Sequence, residues 1–195
     1  MASGKGGFLS LLIGAIVVVA VIMTCTEKCS SGGKEKEPSP NDIGFWTLGE
    51  FVDNFGDKTG RKYISQYFSG RFSKLGVQNQ SANIEFIITG SDKVEIELYQ
   101  YGRSRNDIMH HNDFTGTLQD SDGNRHTINA RGGGRSTPRV TFNSRSSNVI
   151  HDALMKGGEV KIRLTEEPGG TQYSFDLSNS GTRGYSNAFK QMSGN

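Results

Sequence analysis

The chain has 195 residues, is 33% hydrophobic and 22% charged, and carries a formal net charge of +2 at pH 7. Its 26 glycines follow no fixed period, which excludes a collagen helix, and its two cysteines are too few for a disulfide-dense miniprotein or a multi-cysteine zinc module. The length suits one ordinary domain plus a tail.

The N-terminus carries the strongest local signal. From Phe8 to Cys25 the chain is uncharged, and 15 of the 18 residues are hydrophobic. As a helix this run spans about 27 Å, enough to cross a hydrocarbon core. Residues 1–25 are therefore expected to form a transmembrane or signal-anchor segment. Lys5 precedes the run and a near balance of Glu and Lys follows it, which favours an inward N-terminus and a body outside the cell membrane. Three fates are open to the segment: a retained helix, conventional cleavage, or a lipoprotein signal ending at Cys25. Cleavage has no A-x-A site to act on. Cys25 is the lipidation candidate, although Thr24 stands where a small residue is usual. A Cys25–Cys29 disulfide is a further alternative, since extracytoplasmic space permits one.

Residues 26–41 contain no aromatic or aliphatic side chain, so they have no surface whose burial would offset the entropy of ordering. They are expected to be a disordered polar stalk.

Residues 42–195 form the body, where the pattern changes to short alternations. Val94–Leu98, Val160–Leu164 and Tyr173–Leu177 each put apolar residues on one face and polar ones on the other, the period of a half-buried strand. Trp46–Val52, Arg61–Phe72, Asn83–Thr89, Phe114–Gln119, His126–Ala130 and Arg139–Phe142 are further predicted strands. Thr89–Asp92 and Asp120–Asn124 read as tight turns between them. Ser147–Lys156, stopped by Gly157, and the Tyr185, Ala188, Phe189, Met192 spacing predict two short helices. The expected fold is all-β, mainly an antiparallel β-sandwich of eight or nine strands, with one or two short helices.

Chemical motifs are sparse. Asp53–Asp57 reads as a polar turn with Phe55 tucked inward. Asp120–Asn124 fails as a calcium loop because glycine falls fourth instead of sixth and Arg131 takes the twelfth position. His110 and His111, flanked by Asp107 and Asp113, lack the third converging ligand that zinc requires, so no metal and no cofactor is expected. No nucleophile elbow, P-loop or dinucleotide fingerprint is present. Glu95 and Glu97 share one strand face about 7 Å apart, but that face is the one turned to water. The binding candidates are the aromatic residues Trp46, Tyr99 and Tyr101 and the arginines Arg103, Arg105, Arg131 and Arg135. They suit anionic polymers, headgroups or sugar faces. Nucleic acid fits poorly, because the body holds 18 basic against 17 acidic residues.

The apolar start ending at Cys25, the stalk, Phe45-Trp46, Val52–Asp57, and Phe175–Leu177 followed by a short helix together resemble small, uncharacterised, membrane-anchored β-sandwich proteins of the bacterial cell envelope. The resemblance implies a tethered, extracytoplasmic body and carries no catalytic residue. The expected function is a membrane-tethered envelope module that binds a protein or glycan. The alternatives are an envelope hydrolase with a dispersed site and a structural subunit of an envelope assembly.

Overall fold

The structure is a computed structural model that describes residues 39, 41–101, 103–104, 112–133 and 139–194. The predicted membrane segment with Cys25, nearly all of the stalk, the His110-His111 pair, Arg105 and Arg135 lie outside the described residues.

Among the described residues the elements in chain order are β1 (Thr47–Val52), β2 (Lys58–Lys74), β3 (Val77–Gly90), β4 (Lys93–Gln100), β5 (Arg103–Ser104), β6 (Asp113–Gln119), β7 (Arg125–Gly132) and β8 (Arg139–Phe142). They are followed by α1 (Ser144–Lys156), β9 (Val160–Glu167), β10 (Gln172–Leu177), α2 (Asn179–Thr182) and α3 (Tyr185–Ser193). No described helix is long and apolar enough to cross a membrane.

Every strand pair is antiparallel, in the order β1-β2-β10-β9-β6-β7-β8-β4-β3, and β3 also pairs with β2. That last pairing joins the two ends of the sheet. The predicted all-β antiparallel class is found, but the expected two-sheet sandwich is replaced by one closed barrel of eight strands, β2 to β4 and β6 to β10. The seam is β2. Its later half pairs with β3 from Ile64 to Lys74 on one side and with β10 from Gly70 to Ser73 on the other.

The register aligns the apolar residues of neighbouring strands. Ile64 faces Ile88, which faces Val94; Phe68 faces Ile84, which faces Leu98; Phe114 faces Ala130, which faces Phe142. These residues point inward and are buried, so side chains fill the barrel. Two glycines permit its tight curvature. A Cβ at Gly70 would collide with the Ser174 carbonyl and the Phe175 ring, and one at Gly116 with the Arg163 carbonyl and Leu164.

The helices close one end. The Asn143 side chain caps α1 by accepting from the Ser146 N–H at 2.8 Å, and Gly157 ends the helix at φ 73°. Two serines of α1 tie it to the barrel. Ser146 Oγ accepts from the Asn129 N–H at 2.9 Å, and Ser147 Oγ from the Val94 N–H at 3.2 Å. Tyr185, Ala188 and Met192 of α3 face the core.

Candidate functional site: the cleft beneath the finger

The first six residues of β2, Lys58 to Tyr63, lie beyond the last β2–β3 pair and are bonded only to β1. Together with β1 they form a two-stranded finger. Its turn is built by Asp53, whose Oδ1 accepts from the Phe55 and Asp57 N–H groups at 2.9 Å each, with Gly56 at φ 89°. This local geometry puts Phe55 at the tip, 92% exposed, where the sequence reading had it tucked inward. The Asx turn uses the backbone around Phe55, and no part of the core lies within reach of its ring.

The finger is stiffened by side chains. The Gly60 N–H donates to Glu50 Oε1 at 2.8 Å, the Thr59 hydroxyl donates to the Phe51 carbonyl at 2.8 Å, and Lys58 sits 3.7 Å from Glu50. The Phe51 and Tyr63 rings meet at 4.8 Å between centroids. Gly49 makes room for this pair, because a Cβ there would run into the Tyr63 ring.

Between the finger and the barrel lies a cleft of about 670 Å³. Phe51, Gly60, Arg61 and Lys62 form the finger side, and Thr89, Lys93, Glu95 and Arg139 form the barrel side. Met192 to Gly194, at the tail of α3, close the remaining edge. Two arginines approach the Phe51 ring, Arg61 at 5.0 Å and Arg139 at 5.9 Å from its centroid. Arg139 is also anchored from below. Its Nε donates to Glu97 Oε1 and its Nη1 to Glu95 Oε2, both at 3.3 Å. Thr89 Oγ1 is buried and makes no hydrogen bond among the described residues.

A polar network continues along the same outer wall. Glu85 and Glu97 sit directly opposite each other on β3 and β4, and the Tyr99 hydroxyl faces both. It donates to Glu97 Oε2 at 2.9 Å and to Glu85 Oε2 at 3.1 Å, one proton between two acceptors. Tyr67 Oη lies 3.4 Å from Tyr99 Oη. Desolvation, then the hydrogen bond with Tyr67 and the neighbouring Glu97, hold the Tyr99 phenol far above its ordinary range. The hydrogen bond to Glu85 raises Tyr67 as well. Both phenols therefore stay protonated and shield a pair of like charges that would otherwise repel across the strands.

The sequence candidates whose side chains are described, Trp46, Tyr99, Tyr101 and Arg131, have different surroundings. Trp46 is core, 2% exposed, edge-on to Phe68 at 6.1 Å and Tyr185 at 4.9 Å. Tyr99 belongs to the outer-wall network, and Tyr101 is exposed with its ring edge-on to Phe72 at 5.1 Å. Arg131 lies exposed on β7, 3.6 Å from Asp113. Arg103 is placed only by its backbone, which pairs with Gln100. Phe51, Arg61, Lys62 and Lys93 were not singled out by sequence. No signal marked them: the predicted strand Arg61–Phe72 is shorter than β3, a strand of the barrel itself.

Two histidines are structural. His151 Nδ1 and the Tyr185 hydroxyl are hydrogen-bonded at 2.7 Å between α1 and α3, and His126 Nε2 lies 3.9 Å from Asp120 Oδ2. Among the described residues no cluster of His, Cys, Asp and Glu is arranged to hold a metal ion. At the barrel end away from α1, Glu166 is 3% exposed and accepts from Asn112 Nδ2 at 2.7 Å, and Gln100 Nε2 donates to Tyr173 Oη at 2.9 Å. These groups satisfy polar positions inside an otherwise apolar interior.

Compared with known proteins, the chain matches no family model, no curated protein and no solved structure.

Proposed function

We propose that this chain is a non-enzymatic binding module of the cell envelope, tethered to the membrane by residues 1–25, with residues 42–195 on the extracytoplasmic side. The ligand site is the cleft beneath the finger, and the ligand is a component of the envelope. The observation that carries the reading is the cleft itself. It is open and of ligand size, and its walls come from six elements, whereas the barrel interior is filled. A dispersed hydrolase site would need an acid and a base converging on one point. Among the described residues the one carboxylate lining this cleft, Glu95, is held by Arg139 instead. The apolar run from Phe8 to Cys25 supports the tether.

The test uses the full chain in non-ionic detergent and measures its retention on isolated cell envelopes. Saturable retention is expected, lost in Thr89→Trp, which fills the barrel side of the cleft, and weakened in Phe51→Ala. Unfolding curves for both variants separate a blocked site from a misfolded protein. Retention unchanged in two folded variants would overturn the assignment.

A further inference from the structure

We infer that the cleft beneath the finger binds a phosphate-bearing ligand, held by Arg61, Lys62 and Lys93. The inference rests on the binding-module reading above and names the chemistry of its ligand. Several cations elsewhere on the body have acidic partners. Arg163 meets Asp176 at 2.8 Å, Arg183 meets Asp42 at 3.0 Å, and Lys161 meets Glu159 at 3.2 Å. Lys156 reaches both Asp120 and Asp122. Within the cleft, Arg139 is neutralised by Glu95 and Glu97. Arg71, Arg125, Arg145 and Lys190 also make no ion pair among the described residues, and Arg71 and Arg125 line separate hollows. Arg61, Lys62 and Lys93 are distinguished by being exposed, without an ion pair among the described residues, and gathered in one concavity. Like charges brought together in a concave site raise the local potential and draw in anions.

The number and kind of donors select phosphate over carboxylate. A carboxylate is planar and is saturated by one bidentate arginine, whereas a tetrahedral phosphate presents oxygens in several directions and can engage separate cations at once. Arg61 lies against the Phe51 ring, so less side-chain freedom is lost when it grips an anion. Thr89 keeps a buried hydroxyl without a hydrogen-bond partner among the described residues, a cost that a ligand oxygen would offset. The volume of about 670 Å³ exceeds a bare phosphate, so the ligand is a phosphoester on a larger body. A phosphorylated sugar and a phospholipid headgroup share this chemistry.

The test is calorimetric titration of the full chain in non-ionic detergent with glucose 6-phosphate and with glycerophosphoglycerol, the deacylated head of phosphatidylglycerol. Glucose serves as the uncharged comparison. Saturable binding of at least one phosphoester is expected, absent for glucose and weakened by added salt. The double variant Arg61→Gln/Lys93→Gln should weaken it about tenfold or more, and Arg125→Gln/Lys161→Gln, on the opposite wall, should not. A tighter glycerophosphoglycerol assigns a lipid headgroup, and a tighter glucose 6-phosphate assigns a phosphorylated sugar. Absence of binding by both, or equal binding to the wild type and the cleft variant, overturns the inference. If Thr89→Trp still abolishes envelope retention in that case, the ligand class falls and the binding module stands.

Discussion

Strand β2 belongs to two different structures along its 17 residues. From Ile64 onward it is barrel wall, with Ile64, Phe68 and Phe72 buried and a bonded neighbour on each side over much of its length. From Lys58 to Lys62 it is finger, exposed at every position and paired only with β1. The barrel half is held by burial, at about 1.5–3 kcal/mol for each large apolar side chain removed from water. The finger half is held by an Asx turn, a few hydrogen bonds and rings stacked against guanidinium groups. Charge is costly in the first setting and nearly free in the second. That is why the unpaired cations of the cleft sit on the finger and at the rim of the barrel.

The sharpest test of this contrast is in the barrel. Phe86 is fully buried and meets the Phe68 ring edge-on at 5.7 Å. Phe86→Ala should cost about 3–5 kcal/mol by urea denaturation, a large part of the whole stability of a domain. A loss under about 1 kcal/mol would mean that the interior is not close-packed, and the barrel would have to be considered a container.

The helical cap lies between the two regimes. Tyr185→Phe removes the hydrogen bond to His151 and should cost about 1–2 kcal/mol. Burial of the same imidazole sets a pH dependence. Burial lowers the His151 pKa below its ordinary 6.5, against an opposing pull from Asp152. The folded state therefore takes up the His151 proton less readily than the unfolded chain does. The stabilisation is present in full above pH 6.5 and is lost as the pH falls through 6.5 and below. Thermal unfolding between pH 7.5 and pH 5 should show this loss, and His151→Leu should remove it. Stability that rises on acidification through this window would mean that the imidazolium is the form the fold prefers.

How much of this was legible in the sequence differs between barrel and cleft. The alternations at Val94–Leu98, Val160–Leu164 and Tyr173–Leu177 lie within β4, β9 and β10, and the turns at 89–92 and 120–124 join the strands they were expected to join. Closure was not legible, because barrel and sandwich strands share a period of two. What separates them is that β2, besides its hairpin pairing with β3, pairs with β10, about a hundred residues further along the chain. Gln78 to Ser81, all four polar, lie outside the predicted strands, yet they belong to β3. The cleft was hidden for a similar reason. Phe51, Arg61, Thr89, Lys93 and Arg139 come from five strands and share no spacing. Trp46, the most conspicuous aromatic residue, is part of the core.

A smaller effect is expected at the β6–β7 turn. Asp120 Oδ1 accepts from the Asp122 N–H at 3.0 Å and the Asn124 N–H at 2.9 Å, and Oδ2 from Lys156 at 3.2 Å. Desolvation pulls its pKa up, but the hydrogen bonds from Asn124 and Lys156 outweigh this and bring it from 3.8 to about 2. Since the folded value is the lower one, the contribution is present above about pH 4 and fades as the pH falls toward 2. The unfolding midpoint should drop across this interval in the wild type and stay flatter in Asp120→Asn. A flat wild-type profile would mean that the Lys156 tether does not persist in solution.

The smallest effect tests the other half of the comparison. Phe55 is 92% exposed at the finger tip, and its backbone, not its ring, is what the Asx turn uses. Phe55→Ser should therefore change stability by no more than about 0.5 kcal/mol, a tenth or less of the largest Phe86→Ala loss expected above. Envelope retention should also be unchanged, since Phe55 does not line the cleft. A stability loss above about 1 kcal/mol would place the ring against protein and collapse the distinction between finger and wall. Lost retention at unchanged stability would move the binding surface from the cleft to the finger tip, where an apolar ring beside Lys58 could meet a partner directly.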